Sequence, residues 1–357
     1  MFADPTLMSQ PSGNTDHETV DWDLASATAM RLAPRGPELD LESARAAVRE
    51  LRDLSHEAVD PVRAVTGLHA DISHAAVVVD RREWIASNIE GMRLLLGQWT
   101  SLAEKADAAP AIVRGLGSRG TALQLGAVLA WMSSKVLGQY EIFATSPGRL
   151  LLVAPTIVQA ENSLDVPARD FRLWVCLHEE THRVQFGAVP WLADHLTGLI
   201  RRFLDASDLG LRDTMQRLVA FSYAAVRSLR SDVDVMGSLL SQEQRELLDD
   251  ITAIMTLLEG HADFVMDEVG PDIVPSVALI RERFTERREH PSALDAMMRK
   301  VLGMDAKLRQ YSEGAAFVSE VVAQSGMDGL NRAWAGPAAL PSRQEIADPA
   351  AWIARVS

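Results

Sequence analysis

The chain has 357 residues, enough for one large domain or two ordinary ones, with a globular balance of 47% hydrophobic and 24% charged side chains. A net charge of −14 and a pI near 5.1 argue against a nucleic-acid partner, which would need clustered cations to displace counterions. One cysteine, Cys176, excludes an intramolecular disulfide and suits a reducing cytoplasm.

Residues 1–20 are polar and rich in Pro, Ser, Gly, Asn and Asp, so a disordered N-terminal segment is expected, followed by a single domain over 21–357. The first residues lack a basic start followed by an apolar run, so no secretion signal is expected, and no apolar stretch reaches membrane-spanning length. From Trp22 onward the pattern is mostly helical. Residues 39–59 place Leu41, Ala44, Val48, Leu51 and Leu54 at helical spacing, with Asp40 as N-cap and Glu42 in the first turn. A second amphipathic helix is predicted over 81–106. Residues 122–139 are apolar and rich in small side chains, which predicts a buried central helix.

The texture changes at "TSPGRLLLVAPTIV" (145–158), where turn residues lead into an apolar run too short for a helix. One strand is expected there, at a sheet edge because Pro155 cannot donate to a ladder. Helices follow at 165–187, with Asp165 as N-cap, and at about 191–205, 210–229, 241–268, 272–289, 291–302 and 312–325. The basic run "RERFTERREH" (281–290) is diluted by glutamates and reads as a solvated face. The fold class expected is mainly α (α+β), with a small β element before the helix at 165–187.

That helix carries "WVCLHEETHRVQF" (174–186). His178 and His182 lie one turn apart on one face and can present imidazoles to a single ion. Glu179 sits beside that face, placed to act on water at the ion's open position. Chance alone gives on the order of one such match per hundred chains of this length, so context has to decide. The apolar flanks Phe171, Trp174, Val175, Leu177, Val184 and Phe186 predict a buried helix, in which these polar groups would be costly without a cation. Cys176, about 200° around the helix from His178, reads as a buried apolar thiol.

A hydrolytic zinc site takes a third protein ligand. The spacing His-x-x-Gly-x-x-His is excluded, because Gln185 and Ala188 stand where the glycine and third histidine belong. No glutamate occurs between Glu180 and Glu243. Glu243 and Glu246 lie in a polar stretch, whereas Glu259 lies among Met255, Leu257, Leu258, Ala262, Phe264, Val265 and Met266. Glu259 is therefore the expected third ligand. Asp263, one turn on, is placed to accept a proton from a ligand histidine's other nitrogen. The plainer alternative pairs Glu259 and Asp263 with arginines. His261 competes only if Gly260 breaks the helix, and is then a runner-up ligand or a donor to the reacting carbonyl. His195 is an outsider, and Tyr311 a weaker oxyanion donor.

These residues carry a resemblance. "HEETH" followed by "EGHAD" is similar to the gluzincin pattern His-Glu-x-x-His with a later Glu-x-x-x-Asp. The chain more closely resembles the actinobacterial zincin-like metallopeptidase type 2 family, from "VDWDLA" (20–25) through "LLEGHADFVMD" (257–267) to "EIADPAAW" (345–352). Its members are described as hydrolases, some as associated with deazaflavin-cofactor biosynthesis. The resemblance implies a zincin-like fold, Zn2+ at His178, His182 and Glu259, and Glu179 as general base. The gap before Glu259 is longer than in thermolysin-type gluzincins, so their downstream catalytic residues are not carried over. The expected function is metal-assisted hydrolysis of a peptide or small amide. The alternatives are a zinc-stabilised scaffold or binding protein without turnover, and a small-molecule amidohydrolase near cofactor synthesis. The 149–158 strand is expected either to pair with an extended substrate, as peptide-binding edges do, or to be ordinary core.

Overall fold

Along Arg149–Val153, Leu150 and Leu152 enter one apolar core while Leu151 and Val153 enter another, so both faces of this strand are buried. A strand covered on both sides reads as a continuous apolar run, which is why its segment stands out in the sequence. The computed structural model describes residues 20–71, 74–97, 111–145, 148–206, 240–289 and 304–357.

In chain order the main elements are α1 (Trp22–Leu32), α2 (Leu41–Glu57), α3 (Val59–Thr66), β1 (Val77–Val79), α4 (Arg81–Gly97) and α5 (Ala111–Met132). Then come β2 (Gly138–Glu141), β3 (Arg149–Val153), α6 (Ala154–Leu164), α7 (Ala168–Ala188), α8 (Leu192–Asp205) and α9 (Gln242–Glu268). The last are α10 (Val277–Glu289), α11 (Met304–Leu330), α12 (Arg343–Ile346) and α13 (Pro349–Val356). The fold is mainly α with one small sheet, as expected. Among the described residues no helix is long and apolar enough to cross a membrane. The helices expected at 210–229 and 291–302, and residues 1–19, lie outside the described residues.

Three strands form the sheet in the order β1-β3-β2. β1 runs parallel to β3 with Val77 opposite Leu151, and β2 runs antiparallel with Gly138 opposite Leu152. The strand expected at an edge is therefore the central one. Pro155 misleads because the strand ends at Val153 and the proline sits in the first turn of α6, where its missing N–H costs nothing. The edge beside α7 is β2, cut from the end of the segment predicted as a buried helix.

That helix, α5, stops at Met132 and is peripheral. It packs on α1 and leaves Leu123 49% exposed. Asp40 caps α2 as expected, accepting from the Ser43 N–H at 2.8 Å, whereas Asp165 does not cap α7. Asp165 ends α6 in the left-handed region at φ 53°, and α7 starts after Pro167. α9 begins with a full capping box, Ser241 with Gln244.

The core around α2, α7 and Leu150/Leu152 holds the first half of the motif helix in place. A second core unites α8, α9, α11 and the C-terminal elements around Leu257, Phe317 and Trp352. α7 and α9 pack on each other between these two cores, and that contact positions the site. Cys176 is buried, with its Sγ 3.8 Å from the Leu51 carbonyl, as a plain apolar thiol would be.

Candidate metal centre

His178 and His182 project from α7 with their rings edge to face, centroids 4.7 Å apart. Their Nε2 atoms face each other at 3.1 Å. Glu259 reaches across from α9, placing Oε2 3.4 Å from His178 Nε2 and 3.7 Å from His182 Nε2. Among the described residues this trio forms a group able to hold a metal ion. Ligand atoms about 2.1 Å from a tetrahedral centre lie roughly 3.4 Å apart, and the three observed separations bracket that spacing. The donor set, two imidazoles and one carboxylate, suits a divalent cation of zinc type.

The electrostatics agree with the geometry. Burial works to raise the Glu259 pKa, but the two histidines beside it hold its carboxyl well below the usual carboxylate range. Burial likewise opposes charge on His182, yet the bond to Glu259 and its charge push that imidazole up to about 9. Both shifts say that this spot attracts positive charge. The side chains of the trio keep 12% to 23% of their surface exposed, so the site is open on one side.

Glu179, next along α7, is buried against β2. Burial comes first in raising its carboxyl above the ordinary glutamate value, and the two histidines pull the other way. A Cβ built on Gly138 would lie 2.5 Å from Glu179 Cδ and 2.8 Å from Oε1. Gly138 is thus where the strand gives Glu179 its space. Tyr140, on the same face of β2, stacks on Phe186 of α7 at 5.6 Å and keeps the strand on the helix. On the other face Gln139 accepts from the Trp84 indole N–H at 2.8 Å.

Glu180 points away into a buried cluster. Arg183 donates to it through Nε and a terminal nitrogen, both at 2.7 Å, and Ser55 of α2 donates from its hydroxyl. Arg183 also donates to the His74 carbonyl at 2.6 Å.

Other expectations need correction. Asp263 faces Arg281 of α10, with an oxygen 3.9 Å from the guanidinium, and the carboxylate of Asp267 shares that arginine at 2.7 Å. The plainer alternative thus holds for Asp263, whereas among the described residues no arginine is paired with Glu259. The hydrogen bond expected of Asp263 is made by Gln185, whose Oε1 is 2.9 Å from His182 Nδ1. Gly260 does not break α9. A Cβ on it would lie 2.1 Å from the Gly314 carbonyl carbon, so it serves the close crossing of α9 and α11. On an unbroken helix His261 turns away from the trio, fully buried, with its pKa held down to about 3 by burial and by the charge of His182. His195 packs edge-on to Trp191 and lines a groove with Asp250 and Arg355. Tyr311 lies on α11, but its side chain is outside the described residues.

Gln185 and Gly138 are the site residues that sequence reasoning misses. Gln185 stands one turn from His182 on the same helix, which is a usable signal. A search for ligands counts it only as an absent glycine.

The profile of a family described as zincin-like metallopeptidase matches residues 20–353. The chain belongs to this family. Membership of the zincin-like metallopeptidases implies a bound metal, usually zinc. The chain is also similar to a protein from Chloroflexus aurantiacus whose crystal structure is described as that of a candidate hydrolase with a novel fold. The two share 29% identity over 94% of this chain and 98% of that one, with a TM-score of 0.68. No curated protein matches. Family and neighbour together support a hydrolase.

Proposed function

We propose that the chain is a zinc-dependent hydrolase that cleaves peptide or similar amide bonds, with His178, His182 and Glu259 holding the metal and Glu179 as general base. The observation that carries this reading is the meeting of those three side chains beside a buried carboxylate that is not among them. A purely structural metal site has no use for such a carboxylate. Bound zinc would supply Lewis acidity, which acidifies water and polarises a carbonyl.

The remaining work falls to the chain. Glu179 takes a proton from water onto its carboxylate as the water oxygen bonds to the amide carbon, and burial favours this by raising the carboxylate's proton affinity. It then returns that proton to the leaving amine. Gly138 and the wall of α7 confine the carboxylate to one position, so the proton need not be searched for.

β2 favours a peptide over a small amide. It has β3 on one side and no strand among the described residues on the other, and its first residue touches Glu179. An extended substrate adding to that edge would pass the base.

The test is Glu179→Gln. The variant is expected to keep its zinc stoichiometry and helical content and to lose hydrolysis of a peptide library by about 10²–10⁴-fold. Unchanged turnover would overturn the reading. A zinc-loaded wild type that hydrolyses small amides and no peptide would move the substrate class to the amidohydrolase.

A further inference from the structure

Gln185 is completely buried on α7, one turn beyond His182. A primary amide has one end that only accepts and one that only donates, so its orientation follows from any partner with a single role. The backbone carbonyl of Leu258 on α9 is such a partner, since it can only accept. It lies 3.0 Å from Gln185 Nε2, and this fixes the amide nitrogen toward α9. The amide oxygen is then the atom 2.9 Å from His182 Nδ1. Two acceptors at that distance would repel, so His182 Nδ1 carries a proton. In a neutral imidazole the other nitrogen is then bare, and that nitrogen, Nε2, faces His178 and Glu259.

The second amide hydrogen is also spent. It points to His261 Nδ1 at 3.1 Å, which must be the acceptor there. Both amide hydrogens are therefore used and the oxygen accepts one bond, so turning the amide over would break all three. Leu258 immediately precedes Glu259. One side chain thus touches a histidine ligand on α7 and the backbone next to the carboxylate ligand on α9.

We propose that Gln185 is a positioning residue that locks His182 in the tautomer with a free Nε2 and ties the two ligand-bearing helices together. This rests on the metal reading given above. Asp263, the acidic partner expected one turn after Glu259, faces Arg281, and the glutamine supplies the acceptor from the motif helix itself. Substitution by an apolar side chain would leave His182 Nδ1–H without its acceptor and remove the bond that the Leu258 carbonyl accepts from the facing helix. Groups in this position tune metal affinity about 10–100-fold.

The test uses the full chain with two variants. Gln185→Met fills similar volume without an acceptor, and Gln185→Glu keeps an acceptor for His182 while losing the donors to Leu258 and His261. Zinc affinity is measured by chelator competition, and the tautomer of His182 by ¹⁵N-edited NMR of the metal-free protein at alkaline pH, where the imidazole is neutral. The Met variant is expected to bind zinc about 10–100-fold more weakly and to show mixed tautomers at His182. The Glu variant is expected to keep the Nδ1–H form, with its proton resonance moved downfield by the charged acceptor, and to lose less affinity. A Met variant with wild-type affinity and tautomer and only a lower melting temperature would overturn the proposal. If the Met variant does not fold, an unmoved His182 signal in the Glu variant overturns it alone. A wild type that binds zinc no better than Glu259→Ala overturns the metal reading instead, and the tautomer measurement still decides the role of Gln185.

Discussion

Gly138 touches Glu179: a single methyl group at position 138 would stand 2.5 Å from the carboxylate carbon. No side-chain atom fits at that distance, so either β2 retreats from α7 or the glutamate turns away. Gly138→Ala is expected to lower hydrolytic turnover by about 10²-fold, the cost of an ångström-scale misplacement. Zinc affinity is expected to stay unchanged, because the atoms nearest a side chain at position 138 all belong to Glu179 and none to His178, His182 or Glu259. Steady-state kinetics with metal analysis on the same samples checks this; wild-type turnover would show that the contact has no catalytic weight.

Removal of the metal is expected to lower the melting temperature and readdition of zinc to restore it. An ion bound only to the folded state at a hundred times its Kd stabilises by about 2.7 kcal/mol. Glu259→Ala is expected to abolish the zinc-dependent shift. Thermal melts with chelator and with zinc test both statements, and a shift that survives the substitution would place the ion elsewhere.

The cluster of Glu180, Arg183 and Ser55 links α7 to α2 behind the site. Glu180→Ala would leave the Arg183 guanidinium, 10% exposed, without its carboxylate. Removing one partner of a buried pair costs about 3–5 kcal/mol. Urea unfolding of the two proteins measures this, and a loss below about 1 kcal/mol, the range of surface pairs, would mean that water reaches the arginine.

Acid sensitivity has an identified contributor at the C-terminal end. The hydrogen bond from Arg355 comes first in holding the Glu345 carboxyl below its ordinary value of 4.5, and the Ser342 cap adds to it. A carboxyl depressed in the folded state contributes stability that is present above its unfolded pKa and lost as pH falls through the lower folded one. Glu345→Gln is therefore expected to melt below the wild type at pH 6, with the difference shrinking as pH falls below the ordinary value of 4.5. Paired melting curves across that range decide it; a difference that grows in acid would reverse the sign.

The helical frame is legible because burial repeats with the helical period. Asp40 with Leu41–Glu57, and the apolar flanks of His178 and His182, carry their environment in the sequence. Glu259 can be found because apolar neighbours leave a lone carboxylate little else to do. The features that escape are those set by partners distant in sequence. Pro155 signals a break in hydrogen bonding, and whether that break marks a sheet edge or a helix start depends on the structure its successors adopt. Asp263 has the right spacing for a ligand's partner, but Arg281 from α10 takes it, and no local pattern announces that. Gly138 sits in an apolar, small-residue run that reads as helix, while its reason for being glycine lies on another element.

At the crossing of α9 and α11, Gly260 meets the backbone of Gly314, and a Cβ on Gly314 would in turn lie 2.2 Å from the Thr256 carbonyl oxygen. Bare main chain rests on bare main chain one residue from Glu259. Side chains can repack by choosing other rotamers, but two peptide planes in contact have no such freedom. The spacing of α9 from α11 is therefore set by atomic radii, and a methyl group added at either glycine would shift the helix that carries Glu259.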